Sequence, residues 1–180
     1  MQGWIKVYTG PMFSRKTEEL LIELRRYELA KKKIILFKHA IDNRYGEEYV
    51  TSHDGRKMKA IKVSDPSEIY NIGKEYEVIG IDEAQFFDTE IADVVNRLAD
   101  EGKRIVIAGL DKNFLGKPFG PMPLLLAIAD EVIKLTAVCP VCGEPATFTI
   151  RKSKEEQEIL IGGYDHYEPR CRVHHHTILR

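Results

Sequence analysis

Gly10-Pro11-Met12-Phe13-Ser14-Arg15-Lys16-Thr17 stands where an apolar run, Trp4 to Thr9, gives way to a helical stretch from about Lys16 to Ala30. The run reads as a strand, and Leu20, Leu21, Leu24 and Tyr27 fall on one face of the helix at 3.6-residue spacing. An octet that opens on glycine and closes on Lys-Thr between a strand and a helix has the layout of a P-loop, G-x-x-x-x-G-K-[ST]. In that layout loop N–H groups and the helix N-terminus cradle phosphate oxygens. Gly10, Pro11, Met12, Phe13, Ser14, Arg15, Lys16 and Thr17 are therefore the expected ATP-binding residues, with Lys16 reaching the β- and γ-phosphates and the Thr17 hydroxyl ligating Mg²⁺. The departure is Arg15, which takes the place of the second glycine. Its Cβ and long cation either crowd the phosphates or swing outward and leave the N–H cradle intact. Two cations at a helix N-terminus oppose the helix dipole, which argues for an anion there.

Farther along the chain, Val78-Ile79-Gly80-Ile81 is an apolar strand ending in Asp82-Glu83, the form of a Walker B segment. Asp82 is expected to hold Mg²⁺, and Glu83 is left for proton chemistry. Strand signals recur at Ile34–Lys38, Ile105–Ala108 and Val132–Ala137. Helices are expected from Asp65-Pro66-Ser67-Glu68, with Asp at the N-cap, Pro at N1 and Glu at N3, from Asp88 to Asp100, and over Leu124–Ala129. This alternation predicts an α/β fold: a mainly parallel sheet flanked by helices, of the P-loop (RecA-like) kind, over residues 1–137. The polar segment His39 to Arg56 and the Gly- and Pro-rich segment Asp111–Pro123 read as loops of the kind that carry function.

From residue 138 to 180 the character changes, and a small zinc-ribbon-like domain is expected. Strand-like runs Ala146–Arg151 and Glu158–Ile161 are flanked by Cys139-x-x-Cys142 and Cys171-x-x-His174. Three thiolates and an imidazole suit a closed, structural Zn²⁺ site, and so short a segment needs such a staple because it cannot build much core. His175 or His176 could stand in for His174.

Composition narrows the rest. With 27 Lys and Arg against 28 Asp and Glu, the formal net charge is −1, which gives no pull toward nucleic acid or an anionic membrane. No run approaches the roughly 20 apolar residues of a membrane helix, and the N-terminus lacks a signal-peptide apolar region. A cytoplasmic protein is expected, in which the three cysteines serve a metal rather than a disulfide.

Taken together, Gly10–Thr17, Asp42-Asn43-Arg44-Tyr45, Ser52-His53-Asp54-Gly55, Ile81-Asp82-Glu83-Ala84-Gln85-Phe86-Phe87, Ala108-Gly109-Leu110-Asp111, Lys117-Pro118-Phe119-Gly120, Cys139-Pro140-Val141-Cys142-Gly143, Ile161-Gly162-Gly163 and Tyr167 resemble, in order, the motifs of type II (cellular) thymidine kinases. The resemblance spans nearly the whole chain. It implies transfer of the ATP γ-phosphate to the 5′-hydroxyl of thymidine, with Glu83 as the general base. Lys16 and Arg44 then stand at the transferring phosphate, Asp42 is a metal-side partner or a simple pair to Arg44, and Asp82 and Gln85 lie on the nucleotide side. It implies a base pocket at Met12, Phe86, Leu110, Phe114, Phe119, Thr149, Ile161, Gly162, Gly163 and Tyr167, with Thr149 near the 5-methyl group and segment 111–123 closing over the base as a lasso. It further implies a homotetramer inhibited by dTTP. The chain departs from the family pattern at Arg15 and at Tyr164-Asp165-His166, where a small residue and then Asp-Lys are more usual. Two other readings stand beside this one. One is a nucleotide-binding relative with little turnover, which Arg15 permits; the other is a zinc-ribbon nucleic-acid-binding ATPase, which would need a basic stripe that residues 139–180 lack.

Overall fold

The structure, a computed structural model, describes residues 1–41, 49–152 and 166–176. The expectations for Asp42, Arg44, Ile161, Gly162, Gly163, the strand Glu158–Ile161 and Tyr164-Asp165 lie outside the described residues.

The chain opens with β1 (Trp4–Gly10) and α1 (Lys16–Leu29), then β2 (Ile34–His39), β3 (Tyr49–Thr51), β4 (Lys57–Lys59), β5 (Ile61–Val63) and α2 (Pro66–Gly73). It continues through β6 (Val78–Asp82), a single 3₁₀ turn at Ala84–Phe86, α3 (Glu90–Asp100), β7 (Arg104–Leu110), α4 (Met122–Ile128) and β8 (Glu131–Lys134). β9 (Ala137–Val138), β10 (Pro145–Ala146), β11 (Phe148–Arg151), β12 (Tyr167–Arg170) and α5 (Arg172–His176) complete it.

A six-stranded sheet in the order β5-β2-β6-β7-β1-β8 is parallel throughout. Strands of a parallel sheet are covered on both faces, and the alternation of side chains in β7 shows how. Ile105 and Ile107 point into a core shared with Ile69 of α2, Ile91, Val95 and Leu98 of α3 and Leu125 of α4. Val106 and Ala108 point the other way, into a second core with Leu20, Leu21 and Leu24 of α1. Each of those leucines is almost wholly buried, which contributes about 1.5–3 kcal/mol apiece. Gly80 lets α1 approach closely, since a Cβ there would run into the Leu24 side chain.

Several expectations shift by a residue or two. The α2 start is as read, with Asp65 and Glu68 forming a reciprocal capping box and Pro66 at the first helical position. The N-cap of α3 is Thr89 rather than Asp88, although the Asp88 carboxylate accepts from Glu90 N–H at 3.0 Å. α4 begins at Met122, two residues ahead of Leu124, because Pro121 and Pro123 supply the φ that a first helical turn needs. The expected strand Val132–Ala137 is divided into β8 and β9, and Ala146–Arg151 into β10 and β11. The polar segment before Arg56 carries no strand signal, yet β3 and β4 pair as an antiparallel hairpin. Ser52 and Asp54 bond within its tip, and Gly55 takes φ 86° to close it.

Candidate active site

The C-terminal ends of β1 and β6, one strand apart across β7, carry the two acidic-and-phosphate motifs to the same edge of the sheet. Between β1 and α1 the loop turns on three residues with positive φ: Gly10 (145°), Phe13 (66°) and Arg15 (71°). At Gly10 a Cβ would strike the Leu135 carbonyl, so only glycine fits. Ser14 Oγ donates to the Pro11 carbonyl at 2.7 Å and Lys16 Nζ donates to the same carbonyl at 2.6 Å, so the lysine arches back over the loop. The Thr17 hydroxyl lies 3.2 Å from Asp82 Oδ1 and 3.3 Å from Oδ2. A hydroxyl and a carboxylate this close can share one hard cation whose other positions go to water and phosphate, so the pair fits Mg²⁺.

Arg15 takes the backbone shape that a glycine would take, and its side chain leaves the loop. Its Nε donates to Glu18 at 2.8 Å, and the side chain is 68% exposed while that of Glu18 is 9% exposed. The N–H cradle is thus left to the backbone, which is the outward of the two alternatives. Arg15→Gly is accordingly expected to change the ATP KM by less than about threefold, the scale of an exposed ion pair. It should shift the melting midpoint by no more than a few degrees. Steady-state kinetics and calorimetry on parent and variant check both.

Glu83 follows Asp82 at the end of β6 and sits at φ 54°, ψ 44°. A side-chain-bearing residue in that region costs on the order of 1 kcal/mol and persists only where its surroundings fix it. Gln85 is one such surrounding. Its amide N–H donates to the Glu83 carboxylate and its carbonyl accepts from Leu110 N–H at 3.1 Å, with Gln85 itself 2% exposed. Gln85 thus ties the acid at the end of β6 to the end of β7.

Leu110 ends β7 just ahead of the segment expected to cover a base. Here Lys112 bridges to Pro118, and Asn113 Oδ1 accepts from Leu115 and Lys117 N–H groups at 3.0 and 3.1 Å. Phe119 meets Phe86 edge-on with ring centroids 6.0 Å apart, and both are partly exposed. Phe114 faces the C-terminal lobe, with the Arg151 guanidinium 4.0 Å from its ring centroid. The Arg151 side chain also donates to the Tyr167 hydroxyl at 3.4 Å across the β11–β12 pair. Thr149, 4% exposed, accepts from Met12 N–H at 3.0 Å. Met12, Phe86, Leu110, Phe114, Phe119, Thr149 and Tyr167 are thereby distributed over the phosphate loop, the turn after β6, the end of β7, the 111–123 segment and the C-terminal lobe.

Cys139, Cys142, Cys171 and His174 gather at one point, with all four donor atoms within 4.8 Å of one another. Sγ of Cys142 lies 3.7 Å from Sγ of Cys171, and Nδ1 of His174 lies 3.2 and 3.8 Å from Sγ of Cys171 and Cys139. A tetrahedral Zn²⁺ with thiolate and imidazole ligands has edges of about 3.5–3.8 Å, so the donor set fits zinc. Burial alone would raise the Cys139 thiol, but backbone N–H groups of Cys171, Val141 and Cys142 outweigh it and bring it down to about 6. The donor imidazole is His174. His175 turns away, stacks on Phe148 with centroids 4.4 Å apart, and donates from Nε2 to the Phe114 carbonyl at 3.1 Å. His176 is exposed.

Residue reading missed three contributors. Arg151 is buried between Phe114 and Tyr167; an arginine closing an apolar strand was its signal. His175 signals only as a stand-in zinc ligand, whereas it packs on Phe148 and bonds to the Phe114 carbonyl. Lys38, 3% exposed and in register with Asp82 across β2 and β6, passed for a strand end, and its Nζ donates to the Tyr49 carbonyl at 3.0 Å.

Comparison with known proteins identifies the family of the chain. A family model described as thymidine kinase matches residues 3–175. The chain is 50% identical to a thymidine kinase of Coprothermobacter proteolyticus over 179 residues, covering 96% of this chain and 90% of the relative. It is 46% identical to a thymidine kinase of a Rhodothermus species over 170 residues, covering 94% of this chain and 80% of the relative. Among solved structures, the genome-packaging NTPase of Sulfolobus turreted icosahedral virus 2 in complex with ATPγS superposes with a TM-score of 0.53 at 15% identity, over 77% of each chain. That last likeness concerns the fold. The extent of the family match and the identity to these relatives leave one conclusion: this chain belongs to the thymidine kinase family.

Proposed function

We propose that the protein transfers the γ-phosphoryl group of ATP to the 5′-hydroxyl of thymidine, giving ADP and thymidine 5′-monophosphate. The observation that carries this reading is the Glu83–Gln85–Leu110 chain of hydrogen bonds. It fixes a carboxylate next to the Thr17–Asp82 pair and, through the same glutamine, to the end of β7 just ahead of the segment that would cover the base.

In this reading the Glu83 carboxylate accepts the proton of the 5′-hydroxyl as that oxygen bonds to the γ-phosphorus and the bond from phosphorus to the β-bridging oxygen breaks. A positioned base of this kind is worth about 10²–10⁴ in rate. Mg²⁺, when bound, neutralises charge on the β- and γ-phosphate oxygens. Thr17 and Asp82 orient that cation, Lys16 swings from the Pro11 carbonyl to the phosphates, and loop N–H groups hold the remaining oxygens. Arg44 and Asp42, outside the described residues, act on the phosphate side by the family resemblance alone. Met12, Phe86, Leu110, Phe114, Phe119, Thr149 and Tyr167 line the base side, and Ile161, Gly162 and Gly163, outside the described residues, join them by the family resemblance alone. Zinc held by Cys139, Cys142, Cys171 and His174 would be structural, since four protein ligands would leave it no open position. Residues 1–137 then act as the kinase domain and 138–180 as the lobe that closes the nucleoside site. A cytoplasmic homotetramer inhibited by dTTP completes the proposal. No helix among the described residues is long and apolar enough to cross a membrane.

A coupled assay for ADP, run with each common deoxynucleoside in turn, tests the proposal. Saturable ADP formation with thymidine and much less with deoxycytidine or the purine deoxynucleosides is expected. Deoxyuridine, which lacks one methyl group, should fall behind thymidine by no more than about 10–200-fold in kcat/KM. ADP formation indifferent to the added nucleoside would sink the assignment.

A further inference from the structure

A phosphate-binding loop works through backbone N–H groups and needs no aromatic ring. Phe13 is nonetheless held at φ 66°, a region that phenylalanine rarely adopts, in the middle of the loop. Its side chain explains why. The ring packs against the apolar cluster of Ala137, Cys139, Ala146 and Cys171, two of whose members are zinc donors. On the β3–β4 hairpin, His53 approaches the same ring, with centroids 5.8 Å apart. The preceding residue is tethered too, since Met12 N–H donates to Thr149 Oγ1 at 3.0 Å. Thr149 lies on β11, whose partner β12 runs directly into Cys171. Two consecutive loop residues are therefore fastened to the lobe that the metal staples.

We infer that Phe13 is a positioning residue through which the zinc knot holds the phosphate loop in its nucleotide-binding shape. The ring, seated on the knot, keeps residue 13 in the left-handed region, and the turn that follows aims the Ser14, Arg15 and Lys16 N–H groups inward. A knot without its metal releases the seat, and the loop relaxes toward the extended and helical shapes that phenylalanine prefers. Loss of zinc then weakens ATP as well as thymidine, although no zinc donor faces the phosphates. The inference rests on the nucleotide reading of the loop given above.

The test uses the zinc-loaded full chain, with Mg²⁺–ATPγS binding read by calorimetry and amide hydrogen exchange read over residues 10–17. Phe13→Ala is expected to weaken ATPγS about tenfold or more, because a loop that must be ordered on binding loses affinity. Its loop amides should exchange faster while zinc stays at one per chain, and Phe13→Leu should restore most of both. Chelation of the parent should reproduce the faster exchange at 10–17, and chelation of Phe13→Ala should add little to it. Phe13→Gly separates the ring from the backbone. Glycine takes positive φ with no side chain to hold it there, so Phe13→Gly should recover part of the affinity that Phe13→Ala loses; if Phe13→Ala binds ATPγS as tightly as the parent, the ring does nothing and the inference falls. Unchanged exchange at 10–17 in both Phe13→Ala and the chelated parent overturns it as well. A parent that takes up no ATPγS removes the nucleotide reading itself, whereas a parent that binds beside indifferent variants removes only this inference.

Discussion

Glu83→Gln is expected to lower the kcat for thymidine phosphorylation about 10²–10⁴-fold while moving the KM of either substrate only a few-fold. Glutamine is nearly isosteric, keeps the left-handed backbone no less readily than glutamate, and can still bond to Gln85. What it loses is the ability to accept the hydroxyl proton, a change felt only as the transition state forms. The substitution leaves the Thr17–Asp82 pair and the Lys16 arch untouched, so nucleotide binding should survive. Steady-state kinetics with calorimetric binding of ATPγS separates the two effects. A variant with kcat within about tenfold of the parent would move the base role elsewhere.

The second large effect concerns the metal. Structural zinc sites contribute about 10–16 kcal/mol of apparent binding free energy near neutral pH in small peptides, and that energy is folding energy. The knot lobe has little else. Its apolar cluster among the described residues is Ala137, Cys139, Ala146 and Cys171 with Phe13 against it, small beside the two cores of the sheet. Cys171→Ser, or a chelator on the parent, should therefore melt the lobe and leave the parallel sheet folded. Far-UV circular dichroism should change little, and a low-temperature transition should separate from the main one. Because Thr149, Arg151 and His175 hold Met12, Phe114 and Tyr167 in place, kcat/KM for thymidine should fall by about 10²-fold or more. One zinc per chain in the parent and none in the variant, by elemental analysis, must accompany this. Full activity in a zinc-free chain would show that the knot does not shape the site.

The fold was legible because its signals are local. Apolar runs bounded by Gly and Pro, a capping box at Asp65, and a phosphate loop between a strand and a helix all lie within windows that periodicity can read. The β3–β4 hairpin was not. Tyr49–Thr51 and Lys57–Lys59 are three residues each and mostly solvent-facing, so no alternation marks them, and the pairing depends on a Ser52–Asp54 turn. The site divides in the same way. Lys16, Thr17, Asp82 and Glu83 declare themselves through adjacent motif residues, and the metal donors through Cys-x-x-Cys and Cys-x-x-His spacing. Gln85 was named from the resemblance, but its two hydrogen bonds were not legible, because one of them runs to Leu110, twenty-five positions away. Arg151, Lys38 and His175 act through contacts between distant segments, and no window of sequence contains both ends. Arg15 is the reverse case. It looked like a broken motif, yet backbone conformation (φ 71°) and the Glu18 pair reconcile it with a working loop, which only geometry reveals.

The measurement that bears most directly on the central claim is identification of the product by phosphorus NMR and mass spectrometry after incubation with thymidine, ATP and Mg²⁺. The account predicts a monophosphate ester on the 5′-oxygen of thymidine, formed in equal amount to ADP, and negligible ADP when thymidine is left out. ATP hydrolysed to ADP and inorganic phosphate whether or not thymidine is present, with no phosphorylated nucleoside, would contradict it.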